Sequence, residues 1–241
     1  MNNVIIDVGA NDGLDGLGYA LFNRHLKIYA FEPNPELIKL IKNNKKKIEN
    51  FFGFTLDNYQ IYQKAISNYN GKNYFYISEY NLCSSLLKYK FVKIKKKIPC
   101  EIITLNKFCK NLKIDNIVYL HCDAQGSDLN VLKGLGKYKK KLHSGVIETM
   151  NKEKDRIYIG ESSFKDFKSF FLRNKFKITG INPFNKENKI LNIYFKNNSI
   201  LKKNFLYKNE FNRRFLARII QNKTTIKDRF FKIYLYHKFK V

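Results

Sequence analysis

The residues best equipped for chemistry stand at the ends of short apolar runs. The first run, Val4–Val8, leads into Asp7-Val8-Gly9-Ala10-Asn11-Asp12-Gly13. Glycines there permit positive φ and close backbone approach, the general device of nucleotide-binding strand–loop–helix units. Asp7 at the strand tip and Asp12 inside the loop work against a pyrophosphate, because their charge opposes the helix N-terminus that ordinarily holds phosphate. The G-x-G-x-x-G spacing of dinucleotide sites is also missing. Glu32 ends the second run, 23 residues after Gly9, where a carboxylate can accept two ribose hydroxyls through its two oxygens.

An adenosine ligand with a cationic tail reconciles the acids with the loop. S-adenosylmethionine carries an ammonium and a sulfonium and no phosphate, so nearby carboxylates become favourable. Asp7, Gly9, Asn11, Gly13 and Glu32 are therefore cofactor-binding candidates. Ligands of open α/β sheets lie beyond the carboxyl ends of the strands, at the reversal of strand order. Asp123 and Glu148 end the fourth and fifth buried runs and should converge there. Asp123 is the leading choice to face the methyl group, with a helix cap or a plain cofactor contact as its other readings. Glu148 can hold an acceptor hydroxyl or a cation, or be a simple strand-end charge. His121 has the right pKa for a base, but lies inside a strand and reads as packed core. Asp123 and Glu148 can share a divalent metal, though the sequence offers no third ligand.

The elements that must position these groups follow from periodicity. Val4–Val8, Ile28–Phe31, Ile61–Ser67, Ile117–Cys122 and Gly145–Ile147 read as strands, with a hairpin arm at Gly71–Ile77. Between them lie helices to about Arg24, from Pro35 to a frayed end at Lys45–Lys47, at Thr104–Leu112 with Thr104 as N-cap, and at Leu129–Leu135. A helix at Ser163–Asn174 and two strands, Phe176–Ile181 and Ile190–Phe195, complete the pattern. Alternating strands and helices predict a doubly wound, Rossmann-like α/β fold, mostly parallel, with an antiparallel strand from the final pair.

These residues carry a family resemblance. Val4 to Gly13, Ala30-Phe31-Glu32-Pro33-Asn34-Pro35 and Asp123-Ala124-Gln125-Gly126-Ser127-Asp128 through Val131-Leu132-Lys133-Gly134 resemble the FkbM family of S-adenosylmethionine-dependent methyltransferases. Ala65-Ile66-Ser67, Ser84-Ser85-Leu86 and Ile103-Thr104-Leu105 fall where that family has short signatures, and Ala65 and Ile66 join the cofactor-binding candidates with them. The resemblance runs from about Val4 to Phe195. It implies a class I methyltransferase fold with a seven-stranded sheet ordered 3-2-1-4-5-7-6, and O-methylation, typically of sugar or polyketide hydroxyls. Gln125 departs from the acid that the family often places there.

Composition sets the remaining bounds. The 241 residues carry 46 Lys+Arg against 20 Asp+Glu, a net charge of +26, and 39 of the basic residues are Lys. That bias reads as compositional drift and solubility rather than as a nucleic-acid footprint. RNA methylation and a catalytically silent binding or scaffold protein of the same fold are the rival functions. Four cysteines without a C-x-x-C pair read as reduced thiols, and neither a signal peptide nor a spanning run is visible, which predicts a cytoplasmic protein. Lys88–Ile98 interleaves lysines with aromatic and aliphatic residues and reads as an exposed strand whose charges block pairing, with an RNA track as the alternative. Residues 1–200 form the methyltransferase-like domain and 201–241 a basic helical extension carrying +10 of the charge. Its apolar stripe, Phe211, Phe215, Leu216, Ile219 and Ile220, can pack on the domain or, with the aromatic residues Phe230 to Phe239, lie on an anionic membrane.

Overall fold

Val4, Ile5 and Ile6 are fully buried, and an unbroken apolar run of this kind makes a strand covered on both faces. It becomes β1 (Asn3–Val8) in the computed structural model, which describes residues 1–183, 187–200, 209–225 and 228. The other strands are β2 (Lys27–Phe31), β3 (Tyr59–Tyr62), β4 (Ala65–Ile66), β5 (Gly71–Ser78), β6 (Ile94–Ile103), β7 (Asn116–Cys122), β8 (Ser144–Met150), β9 (Phe176–Pro183) and β10 (Ile190–Asn197). Seven of them form one sheet in the order β3-β2-β1-β7-β8-β10-β9, the order expected from the resemblance. β1 pairs in parallel with β2 on one side and β7 on the other, and β10 runs antiparallel to both its neighbours. The reversal of strand order therefore lies between β1 and β7.

The helices are α1 (Leu14–Phe22), α2 (Pro35–Phe52), α3 (Leu105–Asn111), α4 (Asp128–Lys133), α5 (Phe164–Arg173) and α6 (Asn209–Ile220). Successive residues of β1 point to opposite faces. Val4, Ile6 and Val8 enter a core shared with Phe108, Leu132 and Phe167 of α3, α4 and α5, whereas Ile5 joins Leu17 of α1, Ile41 and Phe52 of α2, and Phe215, Leu216 and Ile219 of α6.

Three sequence expectations shift. α2 does not fray at Lys45–Lys47 but continues to Phe52, because Ile41, Ile48 and Phe52 keep its apolar face buried and Lys45 pairs with Glu49 at 2.6 Å. Asn34 caps its start by accepting from the Glu36 N–H at 3.0 Å, and Gly53, at φ 81°, closes its end. The single strand expected over Ile61–Ser67 is two. A turn in which the Lys64 N–H donates to the Tyr62 carbonyl (2.9 Å) separates β3 from β4, which belongs to a second, three-stranded sheet ordered β4-β6-β5. The strand expected within Lys88–Ile98 begins only at Ile94, so Lys88, Lys90 and Lys93 lie outside it.

In the C-terminal extension, Phe215, Leu216 and Ile219 are buried against the domain, so this part of the apolar stripe is covered by the protein itself. The Phe211 side chain and the aromatic residues Phe230 to Phe239 lie outside the described residues. Among the described residues no helix is long and apolar enough to cross a membrane.

Candidate active site

β1 hands its chain to the loop at the switch point. Gly9 takes φ +78°, and a Cβ there would stand 2.0 Å from the Asp123 carbonyl oxygen, so only glycine lets the loop lie against the end of β7. The Asp123 N–H donates to the Val8 carbonyl at 3.0 Å, and the Gly9 and Ala10 N–H groups both donate to the Phe31 carbonyl at 3.0 Å. Asn11 follows at φ 51° and points its N–H at Glu32.

Beside this loop opens a cleft of about 290 Å³. Gly9, Asn11, Glu32, Ala65, Ile66, Asp123 and Glu148, all expected from the sequence, line it, together with Phe31, Leu37, Lys64 and Gln125. Glu32 Oε2 accepts from the Asn11 N–H (3.0 Å) and Oε1 from the Asn34 N–H (2.9 Å). Each oxygen keeps a further lone pair. Burial pushes the Glu32 carboxyl up to about 7; the two N–H donors pull against this, and the charges of Asp7 and Asp123 add to it. A cation in the cleft would relieve that cost.

Asp123 and Glu148 stand in different surroundings. Asp123 Oδ1 accepts from the Gln125 amide at 2.6 Å, and the Gln125 carbonyl oxygen accepts from the Tyr158 hydroxyl at 2.7 Å. Ser85 Oγ donates to the Gln125 backbone carbonyl at 2.7 Å. Burial raises the Asp123 pKa, against the lowering influence of His121 and Gln125. Burial also raises Glu148 well above the ordinary carboxylate range, reinforced by the charges of Asp123, Asp128 and Glu161. Glu148 is not the last residue of its strand, since β8 continues to Met150. Asp128, at the start of α4, accepts from the Ala124 N–H at 3.2 Å and is lifted by burial, then by Asp123, to about 7.

Two expected binding residues are turned away from the cleft. Asp7 is fully buried and its Oδ1 meets His121 Nδ1 at 2.8 Å. It shares the face of β1 that Ile5 uses, towards α1, where a Cβ on Gly16 would stand 2.6 Å from its Oδ2. Burial opposes charge on His121, but the Asp7 hydrogen bond and the charges of Asp7, Asp15 and Asp123 prevail and hold its pKa at about 9. The residue read as packed core is thus one half of a buried ion pair. Gly13 closes the loop, its N–H donating to the Ala10 carbonyl at 2.7 Å, and packs where a Cβ would meet the Ile41 side chain at 2.8 Å. Asp12 is likewise engaged by the protein. Arg213 of α6 reaches it at 2.9 Å and also pairs with Asp15.

Gln125, Tyr158, Ser85 and Asp128 were not singled out as site residues. Gln125 was visible only as a departure from a family pattern, and nothing in the spacing ties Tyr158, on an irregular segment, to it. Among the described residues no three His, Cys, Asp or Glu side chains are grouped to hold a metal ion. The donor set suits S-adenosylmethionine: paired lone pairs on Glu32, apolar walls at Phe31, Leu37 and Ile66, and carboxylates for a cationic tail, with Lys64 the one basic residue among the described lining residues.

This sheet order, with a cleft at its switch point, defines a class I methyltransferase-like α/β protein. Within that class the chain belongs to the FkbM methyltransferase family, whose model, "Methyltransferase FkbM domain", matches residues 7–178. The 2-O-methyltransferase NoeI of Sinorhizobium fredii (strain NBRC 101917 / NGR234) is 26% identical over 145 residues, which are 54% of this chain and 56% of NoeI. The crystal structure of methyltransferase FkbM from Methylobacillus flagellatus KT superposes with a TM-score of 0.53 at 13% identity, covering 80% of this chain and 43% of that one. The chain thus matches about half the length of these relatives.

Proposed function

We propose that the chain is an O-methyltransferase that moves the methyl group of S-adenosylmethionine to a hydroxyl of a sugar-containing or other small acceptor. The observation that carries this reading is one cleft with Glu32 on one side and Asp123 and Glu148 on the other. S-adenosylmethionine supplies a methyl group already made electrophilic by its sulfonium, so alignment provides much of the acceleration. Glu32 binds the ribose hydroxyls through its free lone pairs, while Gly9, Asn11, Ala65 and Ile66 form the surface against which the nucleoside rests. Glu148 accepts the proton of the acceptor hydroxyl. Its raised pKa makes the ionised form a stronger base than an exposed carboxylate. Asp123, held by Gln125, fixes the position of the reacting centre.

The charge of the cleft bears on the acceptor. Among the described lining residues Glu32, Asp123 and Glu148 face a single basic residue, Lys64, and such a wall repels a phosphodiester chain. A neutral polyol suits it better than RNA, whatever the net charge of the whole chain. Similarity to a 2-O-methyltransferase supports oxygen as the acceptor atom. The test is release of S-adenosylhomocysteine in the presence of a panel of glycosides. Turnover should require a free hydroxyl and disappear when that hydroxyl is absent or already methylated. Transfer to RNA in preference to every glycoside would overturn the reading.

A further inference from the structure

The mouth of the cleft exposes large apolar side chains that the fold leaves uncovered. Tyr80 and Leu82 are each 68% exposed, Phe91 76% and Ile159 58%. They are not scattered. The Cys83 N–H donates to the Tyr80 carbonyl (2.8 Å), placing Tyr80 and Leu82 on one turn, and the Glu79 N–H donates to the Lys93 carbonyl (3.2 Å), tying that turn to the segment that carries Phe91. The Ile159 N–H donates to the Lys88 carbonyl and the Lys90 N–H to the Ile157 carbonyl, both at 2.9 Å, so the strip bearing Ile159 runs beside the one leading to Phe91. Leu82, Tyr89 and Ile157 on these same segments line the cleft. Lys88, Lys90 and Lys93 are exposed among the apolar residues, and Lys95, Lys96 and Lys97 are exposed further along on β6.

We propose that this rim docks the mouth of the cleft onto an anionic lipid surface. Clustered apolar side chains ringed by lysines are the chemistry of interfacial membrane binding: the apolar tips enter the headgroup boundary and the ammonium groups attract acidic lipids. Aliphatic tips such as Leu82 and Ile159 gain from acyl chains and offer no ring for a base to stack on, which favours lipid over a nucleic-acid strand. A second copy of the chain is disfavoured, because pairing the patch with itself would oppose its lysines to one another. This rim is distinct from the C-terminal stripe, of which Phe215, Leu216 and Ile219 are buried against the domain. Acceptors that reside in the leaflet would then reach the cleft without crossing water, a consequence that rests on the methyltransferase reading, whereas the docking itself does not.

The test uses the full chain and vesicles of phosphatidylcholine alone or mixed with phosphatidylglycerol in about a 7:3 ratio. Sedimentation should show salt-sensitive binding to the mixed vesicles and about tenfold weaker binding to neutral ones. The double variant F91S/I159S, whose side chains lie outside the cleft lining, should lose about tenfold in vesicle affinity with an unchanged thermal midpoint. The sequence contains no Trp, so Phe91→Trp introduces a single indole whose emission should shift to the blue on the mixed vesicles and be quenched by brominated lipids. Absence of sedimentation, binding without any change in that indole, or displacement of the protein from vesicles by single-stranded RNA with the same spectral shift would each overturn the proposal. Failure of methyl transfer with intact vesicle binding would count against the proposed reaction alone.

Discussion

Asp123, just past the end of β7, and Glu148, two residues before the end of β8, line one cleft, yet their surroundings differ. Asp123 has one oxygen committed to Gln125, which is itself held by Tyr158 and Ser85; such a chain fixes a group in place. Glu148 has no hydrogen bond of this kind among the described residues, and its raised pKa suits it to take a proton. Glu148→Gln should therefore lower kcat by about 10²–10⁴ while changing cofactor affinity by no more than about twofold. Asp123→Asn should reduce cofactor affinity as well as kcat, because the Gln125 amide loses its charged acceptor. Single-turnover kinetics combined with equilibrium binding separates the two outcomes. Gly9, Asn11, Glu32, Asp123 and Glu148 were legible because strand ends beside a glycine loop converge in any doubly wound sheet. Asp7 was misplaced for a reason the strand itself supplies: alternation puts it on the face of Ile5, towards α1 and His121, and proximity to the loop in sequence says nothing about that parity.

At the scale of elements, the legible features were those written in short-range pattern: the Thr104 cap, which accepts from the Lys107 N–H at 3.1 Å, the Pro35 start of α2, and the antiparallel final pair. The split between β3 and β4 depends on which of two sheets each half joins, and periodicity within the segment does not carry that information. The same holds for α6. Its apolar stripe was visible, but its partner, the α1–α2 face, is set by tertiary packing. Once α6 is docked there, Arg213 spans Asp12 of the glycine loop and Asp15 of α1. Arg213 lies beyond the residues matched to the family, and its ion pairs with Asp12 and Asp15 tie the extension to the glycine loop. Arg213→Ala should raise the dissociation constant for S-adenosylmethionine about three- to tenfold, with Arg213→Lys intermediate and kcat at saturating cofactor nearly unchanged. Equal affinities for all three proteins, measured by calorimetry, would leave α6 a packing element only.

Over the whole molecule, buried titratable groups give stability a direction in pH. His121 has a folded pKa of about 9 against an ordinary 6.5, so its stabilisation is complete below pH 6.5 and is lost as pH rises through 9. Glu32 and Asp128, raised to about 7, favour the fold while protonated, so their ionisation costs stability as pH rises from the ordinary carboxylate range to about 7. Both effects have the same sign, and each group contributes about 3–4 kcal/mol at most. The thermal midpoint of the free protein should fall by about 5 °C or more between pH 5 and pH 9, and Asp7→Asn should flatten the part above pH 7. A midpoint that rises over this interval would contradict the assignment of these charges. The same buried acidity underlies the central claim, that the cleft is built for a cationic adenosine cofactor held by Glu32. Isothermal titration of the free protein with S-adenosylmethionine and with NAD tests it most directly. The account predicts clear preference for S-adenosylmethionine and a loss of about 1–3 kcal/mol in Glu32→Gln; NAD binding as tightly, or wild type and variant binding S-adenosylmethionine equally well, would contradict it.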